Sequence, residues 1–201
     1  MNRPFLYLSS AEAQLTLGFG QARPTERLFF ALLPSDAAAQ QARAEAEAIR
    51  VDLPSARLIP RERLHVTLHY LGEYAGVPPS LLGRAQRAAQ ALRMAPFALA
   101  FDRVGSFGGH GRERPGITLG SGAGIAGVVE LHRRLGQALA QEKLAGDVRF
   151  TPHMTLLYDA HSLPEQLLAT PLAWQVQSLV LLRSVRGEGR YREEGRWPLT
   201  A

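Results

Sequence analysis

The chain has 201 residues, of which 46% are hydrophobic and 20% charged, a composition typical of a globular protein with a sizeable core. It contains no cysteine, which excludes disulfides, thiolate metal sites and a cysteine nucleophile and is consistent with a cytoplasmic location. No apolar run reaches the ~18 residues needed to span a bilayer, and the net charge of +5 favours anionic ligands such as nucleic acid or phosphorylated metabolites.

The N-terminal part of the chain divides into an extension and the start of a domain. Residues 1–24 contain only short apolar pieces and are expected to form an extension of unknown role, whereas residues 25–201 are expected to form one domain. Residues 27–33 predict a buried strand, because they form a short apolar and aromatic run stopped by Pro34. Ser35 is then a suitable N-cap for a helix that ends near Arg50.

The rest of the chain alternates strands and helices without the glycine-rich phosphate turns of a doubly wound nucleotide fold. The predicted elements are, in chain order, a loop at 54–60, a strand at 63–72, a helix at 78–94, a strand at 97–104, a loop at 105–116, a short strand at 117–120, a helix at 124–144 and strands at 151–158, 172–185 and 191–199. This order predicts an α+β fold with two similar lobes, in which helices pack outside antiparallel sheets.

Two of these strands carry the same polar pattern inside an apolar run. The first is "RLHVTLHYLG" at 63–72, and the second is "FTPHMTLLYD" at 150–159. Because side chains alternate along a strand, His65 and Thr67 share one face, as do His153 and Thr155. If the two strands lie side by side near a twofold axis, two imidazoles and two hydroxyls converge on one point.

Such a group of side chains suits attack on a phosphodiester. One neutral imidazole can take a proton from water while the other, protonated, gives one to the departing alkoxide. The threonine hydroxyls can donate hydrogen bonds to the non-bridging phosphoryl oxygens. This chemistry requires neither a metal nor a cofactor. The alternatives are a structural role for each histidine, or a zinc site that would lack a third ligand at useful spacing.

The segments "HVTLHYLGE" and "TPHMTLLYDA" resemble the paired signatures of the two-histidine phosphoesterases, specifically the RNA 2′,3′-cyclic phosphodiesterases, also called 2′-5′ RNA ligases. "RLFFALLP", "RVGSFGG" and "GRYREEGRWPL" extend the resemblance over nearly the whole chain from Arg27. It implies a bilobal fold in which the two motifs face each other across a cleft between the lobes. It also implies hydrolysis of a 2′,3′-cyclic phosphate at an RNA end to a 2′-phosphate. The family analogy assigns His65 as the acid, His153 as the base, and Thr67 and Thr155 as the phosphate ligands, with the exchange of the two histidine roles as the alternative. Reversible 2′-5′ RNA ligase activity would need no further residues, only a different nucleophile.

The chain departs from the family at Tyr158, where many relatives carry an arginine five positions after the second histidine. A tyrosine offers only a neutral hydroxyl donor, so either phosphate binding is weaker or another arginine supplies the positive charge. The candidates nearest the motifs in the sequence are Arg61, Arg63, Arg112, Arg114 and Arg149.

Two further positions are candidates for a place at the cleft. Of the successive Phe29 and Phe30, the resemblance favours Phe30 as the ring that stacks on a nucleobase, with a core role for both as the alternative. His69 shares strand parity with His65, which predicts a position at the cleft rim or on the surface.

Two other functions are compatible with the sequence. A non-catalytic RNA- or nucleotide-binding module would use the cleft only for binding, and Tyr158 favours this alternative. A phosphodiesterase for a small cyclic nucleotide would use the same two histidines. The expected partner is therefore RNA with a 2′,3′-cyclic phosphate end or a small cyclic nucleotide, bound by a monomer without a cofactor, a metal or a membrane.

Overall fold

A computed structural model of the protein describes residues 25–106 and 114–201, so the predicted extension at 1–24 and part of the predicted loop at 105–116 lie outside the described residues. Within the described ranges the helices are α1 (Asp36–Asp52), α2 (Pro79–Gln90) and α3 (Ala123–Gln141). The strands are β1 (Glu26–Leu32), β2 (Arg57–Leu58), β3 (Val66–Tyr74), β4 (Phe97–Ser106), β5 (Arg114–Leu119), β6 (His153–Asp159), β7 (Gln166–Val176), β8 (Ser178–Val185) and β9 (Arg192–Pro198).

The strands form two antiparallel sheets. One sheet has four strands in the order β3-β1-β8-β9, and the other has five in the order β2-β6-β5-β4-β7. The strands with the His-x-Thr pattern, β3 and β6, therefore belong to different sheets, and they contact each other where the sheets meet. The predicted α+β fold with two antiparallel lobes is confirmed, although each sheet draws strands from both halves of the chain.

The long strand predicted at 172–185 is in fact two strands. The chain leaves the five-stranded sheet at the end of β7 and enters the four-stranded sheet as β8, with only Gln177 between them. The backbone carbonyl of Gln177 accepts a hydrogen bond from the amide of Leu199, 2.8 Å away. No glycine or proline marks the break, so the apolar run reads as continuous.

The helices cover the apolar faces of both sheets. α1 buries a row of alanines together with Ile49 and contacts β6 and β7, and its N-cap is Ser35, as predicted. α3 buries Val128, Leu131, Leu135 and Leu139, whose spacing of three or four residues places them on one face against β3 and β4. None of the helices in the described part of the chain is long and apolar enough to cross a membrane.

Candidate active site

A cleft of about 590 Å³ is lined by residues from both sheets. His65 immediately precedes β3 and Thr67 lies in it, and both side chains line the cleft. His153 and Thr155, from the first half of β6, line the same cleft. The structure thus brings together the four side chains that the alternation of the two strands predicts.

A β-bulge in β3 ends the simple alternation after the threonine. Thr67 pairs with Ala31 of β1, and His69 pairs with Phe30, which leaves Leu68 as an extra residue. An extra residue reverses the faces of the side chains that follow it. The face that lines the cleft therefore continues from Thr67 to Tyr70 rather than to His69.

The second motif strand has a bulge at the equivalent position. Thr155 pairs with Ile117 and Leu157 pairs with Gly116, so Leu156 is the extra residue. Tyr158 consequently lines the cleft, as Tyr70 does in the other lobe. The two lobes therefore present the same pattern, His-x-Thr-Leu-x-Tyr, from two different sheets.

The backbone fixes the ring nitrogens of both histidines in the same way. Nδ1 of His65 lies 2.8 Å from the carbonyl oxygen of Arg63, and Nδ1 of His153 lies 2.8 Å from that of Thr151. A carbonyl can only accept a hydrogen bond, so Nδ1 carries the proton in each ring. The neutral ring then keeps Nε2 as the nitrogen that exchanges a proton with a ligand.

The surroundings of both rings oppose their protonation. Burial is the largest cause that lowers the pKa of His65, and the positive charges of His153 and Arg63 lower it further against the raising effect of the Arg63 carbonyl. Burial also lowers the pKa of His153, partly offset by the hydrogen bond to Thr151. Because a proton on His153 disfavours a second one on His65, the state in which both rings are protonated is disfavoured.

An aromatic wall lies against the first histidine. The ring of Phe29 lies 5.2 Å from that of His65, and the ring of Tyr191 meets both edge-on at 5.4 Å and 5.2 Å. Phe30, predicted to contact the substrate, points the other way: it is fully buried in the main core and packs near Trp197. The position predicted for Phe30 is therefore wrong, and it is Phe29 that lines the cleft.

The cleft is basic. Among the described residues that line it are three arginines and no carboxylate; the arginines are Arg27, Arg57 and Arg63. Of the arginines proposed from sequence, Arg63 is the one whose described side chain lines the cleft. Arg61 instead pairs with Asp36 at 2.9 Å, and Arg149 lies outside the lining. Arg112 and the side chain of Arg114 fall outside the described residues.

Arg57 and Tyr191 were missed by sequence reasoning. Arg57 lies in the two-residue strand β2, inside the segment predicted as a loop, and pairs with Tyr158 of β6. Its guanidinium carbon lies 5.5 Å from the centre of the Tyr158 ring. The guanidinium of Arg63 lies 4.9 Å from the Tyr191 ring, so each of these arginines is held against an aromatic face.

His69 does not reach the cleft rim, because the bulge turns it to the opposite side of β3. It is only 1% exposed and stacks on His132 of α3 with ring centres 4.0 Å apart. Its Nδ1 accepts a hydrogen bond from the amide of Asp147, and its Nε2 donates one to the carbonyl of His132. Elsewhere too, no group of three or more His, Asp or Glu side chains in the described ranges is arranged to hold a metal ion.

A fold with paired His-x-Thr strands facing one cleft defines a phosphoesterase of the two-histidine class. Residues 34–188 match the family model of the 2′-5′ RNA ligase superfamily. The chain belongs to this superfamily.

Solved structures also match this chain over most of its length. A structure described as a phosphoesterase has a TM-score of 0.70 and 26% identity, and the match covers 89% of this chain and 100% of that one. Apo LigT of E. coli has a TM-score of 0.67 and 25% identity over the same shares of the two chains. A protein of Thermus thermophilus, at 22% identity and a TM-score of 0.70, shares the fold over 86% of this chain and 97% of its own.

LigT has also been crystallised with phosphate, with 3′-AMP and with ATP. These complexes match the present chain at 25–26% identity. A search of the curated proteins finds no match.

Proposed function

We propose that the protein is a metal-independent RNA 2′,3′-cyclic phosphodiesterase that opens a cyclic phosphate end to a 2′-phosphate. The observation that carries the proposal is the pair of imidazoles, His65 and His153, that reach one cleft from different sheets beside Thr67 and Thr155. Membership of the superfamily and the basic lining of the cleft support an anionic phosphoester as the substrate.

In this mechanism His153 acts as the base and His65 as the acid. Nε2 of His153 takes a proton from water as the water oxygen forms a bond to phosphorus. The bond between phosphorus and the 3′ oxygen breaks, and protonated His65 gives its Nε2 proton to that oxygen. The two hydroxyls, of Thr67 and Thr155, donate hydrogen bonds to the non-bridging oxygens, where negative charge increases in the transition state.

The next consideration is which protonation states of His65 and His153 this mechanism requires. The reaction needs one neutral and one protonated imidazole, and the mutual repulsion of the rings disfavours the state in which both are protonated. A bound phosphodiester carries one negative charge, which offsets the effect of burial and stabilises the protonated ring. With a 5′-hydroxyl in place of water as the nucleophile, the same two roles would give a 2′-5′ linkage, and the roles exchange when that linkage is cleaved.

A phosphodiesterase for a small cyclic nucleotide is the second candidate. The cleft volume of about 590 Å³ falls in the range typical of sites for single small ligands. Comparing kcat/KM for a mononucleoside 2′,3′-cyclic phosphate with that for a short RNA carrying the same end separates the two candidates. A higher value for the RNA supports the proposed function, and a higher value for the mononucleoside supports the second candidate.

The main test is turnover of adenosine 2′,3′-cyclic phosphate in excess EDTA, with the product identified by ³¹P NMR. We expect a 2′-phosphate product and undiminished activity. The variants His65→Ala and His153→Ala should each lose about 10²–10⁴-fold in rate, the usual contribution of an acid-base group. His132→Phe is the matched control, because it removes a histidine that packs against His69 behind β3 and does not line the cleft.

Three results would contradict the proposal. Loss of activity in EDTA would show that a metal is required. A 3′-phosphate product would show that the leaving oxygen is wrongly assigned. Binding of the cyclic phosphate without any turnover would favour a non-catalytic binding module.

A further inference from the structure

His69 is a buried histidine that the proposed mechanism does not use. It is only 1% exposed and lies behind β3, on the side away from the cleft. Its ring fits between two glycines. An added Cβ would lie 3.3 Å from the ring Cε1 at Gly136 of α3, and 2.8 Å from Nδ1 at Gly146. The glycine at 146 therefore lets the backbone that follows α3 lie directly against the imidazole.

Both ring nitrogens of His69 make hydrogen bonds, and these bonds define its tautomer. Nε2 lies 2.9 Å from the backbone carbonyl oxygen of His132, which can only accept, so Nε2 carries the proton. Nδ1 is then the acceptor for the amide of Asp147, 3.0 Å away. Burial is the largest cause that lowers the pKa of His69, against the raising effects of the His132 carbonyl and the Asp147 charge. Nδ1 therefore stays an acceptor at neutral pH.

The segment that leads to the second catalytic histidine is held by the first motif strand. Residues 144–152 connect α3 to β6 and are neither helix nor strand, so no ladder of backbone hydrogen bonds fixes them. Asp147 lies in this segment, and its carboxylate accepts a hydrogen bond of 2.8 Å from the amide of Tyr70 in β3. Further along the segment, the carbonyl of Thr151 accepts the hydrogen bond from Nδ1 of His153. The orientation of this ring thus depends on where the segment lies.

We propose that His69 is a positioning residue for the second catalytic histidine, His153. By accepting the Asp147 amide, it fixes the segment whose carbonyl at Thr151 keeps the proton of the catalytic ring on Nδ1. The inference rests on the proposed function for the role of His153 as the base. A neutral imidazole can take a proton at Nε2 only in the tautomer that carries its own proton on Nδ1. If the segment moved, the ring would lose the partner that selects this tautomer.

The corresponding contact in the first lobe does not depend on His69. The carbonyl that accepts from Nδ1 of His65 belongs to Arg63, the last residue of the 3₁₀-helix Arg61–Arg63. The strand that follows, β3, is held by its backbone pairing with β1, which a change of side chain at position 69 leaves in place. His65 is therefore an internal reference, because a change at His69 should reach His153 and spare His65.

Two substitutions separate the two hydrogen bonds of His69. The amide nitrogen of a glutamine lies near the position of Nε2, so His69→Gln can still donate to the His132 carbonyl, but it leaves the Asp147 amide without its acceptor. The side-chain oxygen of an asparagine lies near the position of Nδ1. His69→Asn can therefore still accept from the Asp147 amide.

The experiment records ¹⁵N–¹H correlations of the imidazole rings, which distinguish the neutral tautomers without any need for turnover. The signals of His65 and His153 are assigned by their loss in His65→Ala and His153→Ala. In the parent, both rings should carry the proton on Nδ1. In His69→Gln, the His153 ring should become a mixture of tautomers while His65 stays as in the parent. The value of kcat should fall by up to about 10²-fold, the scale expected for a misplacement of ~1 Å. KM should change little, since Thr67 and Thr155 keep their places in the cleft.

Three further variants complete the test. His69→Asn should keep the parental tautomer of His153 and most of the parental kcat. Gly146→Ala should reproduce the effect of His69→Gln, because the added methyl would displace the same segment from an unaltered imidazole. Gly127→Ala is the control for stability. It disturbs the packing of α3 against Phe97, away from this segment, and should leave both catalytic rings and kcat unchanged.

Several results would overturn the inference. One is a parental tautomer of His153 and a parental kcat in His69→Gln. Another is a loss in His69→Asn as large as in His69→Gln, which would show that the ring packs but does not act as the needed acceptor. Equal disturbance of His65 and His153, or the same loss in Gly127→Ala, would show that only general stability is affected. If His69→Gln does not fold, Gly146→Ala decides the question by the same signals. A failure of the proposed function would instead show as absent turnover in a parent whose His153 tautomer depends on His69.

Discussion

The two adjacent phenylalanines of β1 provide a test of how burial controls the first histidine. Phe29 is 6% exposed and lies 5.2 Å from the His65 ring, whereas Phe30 is fully buried on the other face of the sheet. Burial is the main reason that the pKa of His65 is lowered. Phe29→Ala opens the site to water, so we expect the pKa of His65 to rise toward its ordinary value. Phe30→Ala should leave it unchanged.

The stability costs of the two variants differ for the same geometric reason. Truncation of a core phenylalanine to alanine costs about 3–5 kcal/mol, and Phe30, packed in the main core, should fall in this range. Phe29 belongs to a smaller cluster with Ala31, Val180 and Leu182 at the cleft. Water can enter the space that its ring leaves, so its loss should cost less than that of Phe30. Both variants remain foldable if the parent has the usual total of about 5–15 kcal/mol.

The assay follows the imidazole ¹H signals of His65 by NMR from pH 4 to 9, with the resonance assigned by its loss in His65→Ala. Urea unfolding of each variant gives the stability cost. A pKa of His65 that stays unchanged or falls further in Phe29→Ala would refute the argument that desolvation by the aromatic wall controls this group. An equal rise in Phe30→Ala would show that the effect reflects general loosening of the fold.

Two further predictions concern stability. Burial and the charge of His69 lower the pKa of His132 to about 4, whereas an unfolded histidine titrates near ~6.5. The unfolded chain therefore binds more protons below that pH. The free energy of unfolding should therefore fall as pH decreases from about 6.5 toward 4. The midpoint of urea unfolding should fall less over this range for His132→Phe than for the parent. An equal fall in both proteins would exclude His132 as the cause. Gly127→Ala should destabilise α3 by about 1–3 kcal/mol, because the added methyl would lie 2.3 Å from the Phe97 ring. Gly83→Ala in α2, whose nearest neighbour atom lies 3.7 Å away on Arg87, should instead stabilise by up to about 1 kcal/mol. Urea unfolding of both glycine variants checks the opposite signs.

The shared face of each histidine and its threonine was predictable from the sequence, because only one residue separates the two in each motif. Over so short a distance a strand has little room to change its register, so alternation places both side chains on one face. Beyond the threonine the prediction fails, because Leu68 and Leu156 are bulge residues. Neither Leu68 nor Leu156 has a glycine or a proline next to it in the sequence, so nothing local indicates that His69 turns away from the cleft.

The prediction that Phe30 rather than Phe29 lies at the cleft was wrong for a different reason. Both faces of β1 are apolar, since one faces the main core and the other the smaller cluster at the cleft. Alternation shows that the two rings point in opposite directions, but it does not show which direction leads to the cleft. That depends on the pairing of Phe29 with Tyr70 in β3, a contact between residues far apart in the chain.

The position of Arg57 at the cleft could not be predicted from the sequence, because its strand has only two residues. A pattern with a period of two cannot be recognised in so short a segment, and the prolines at 54 and 60 make it read as a loop. The strand exists because β6 offers an edge to pair with and because hydrogen bonds from Ser55 and Ile59 hold the segment there. The positions of the histidines are thus specified by local sequence, whereas Phe29 and Arg57 reach the cleft only through pairing between distant segments of the chain.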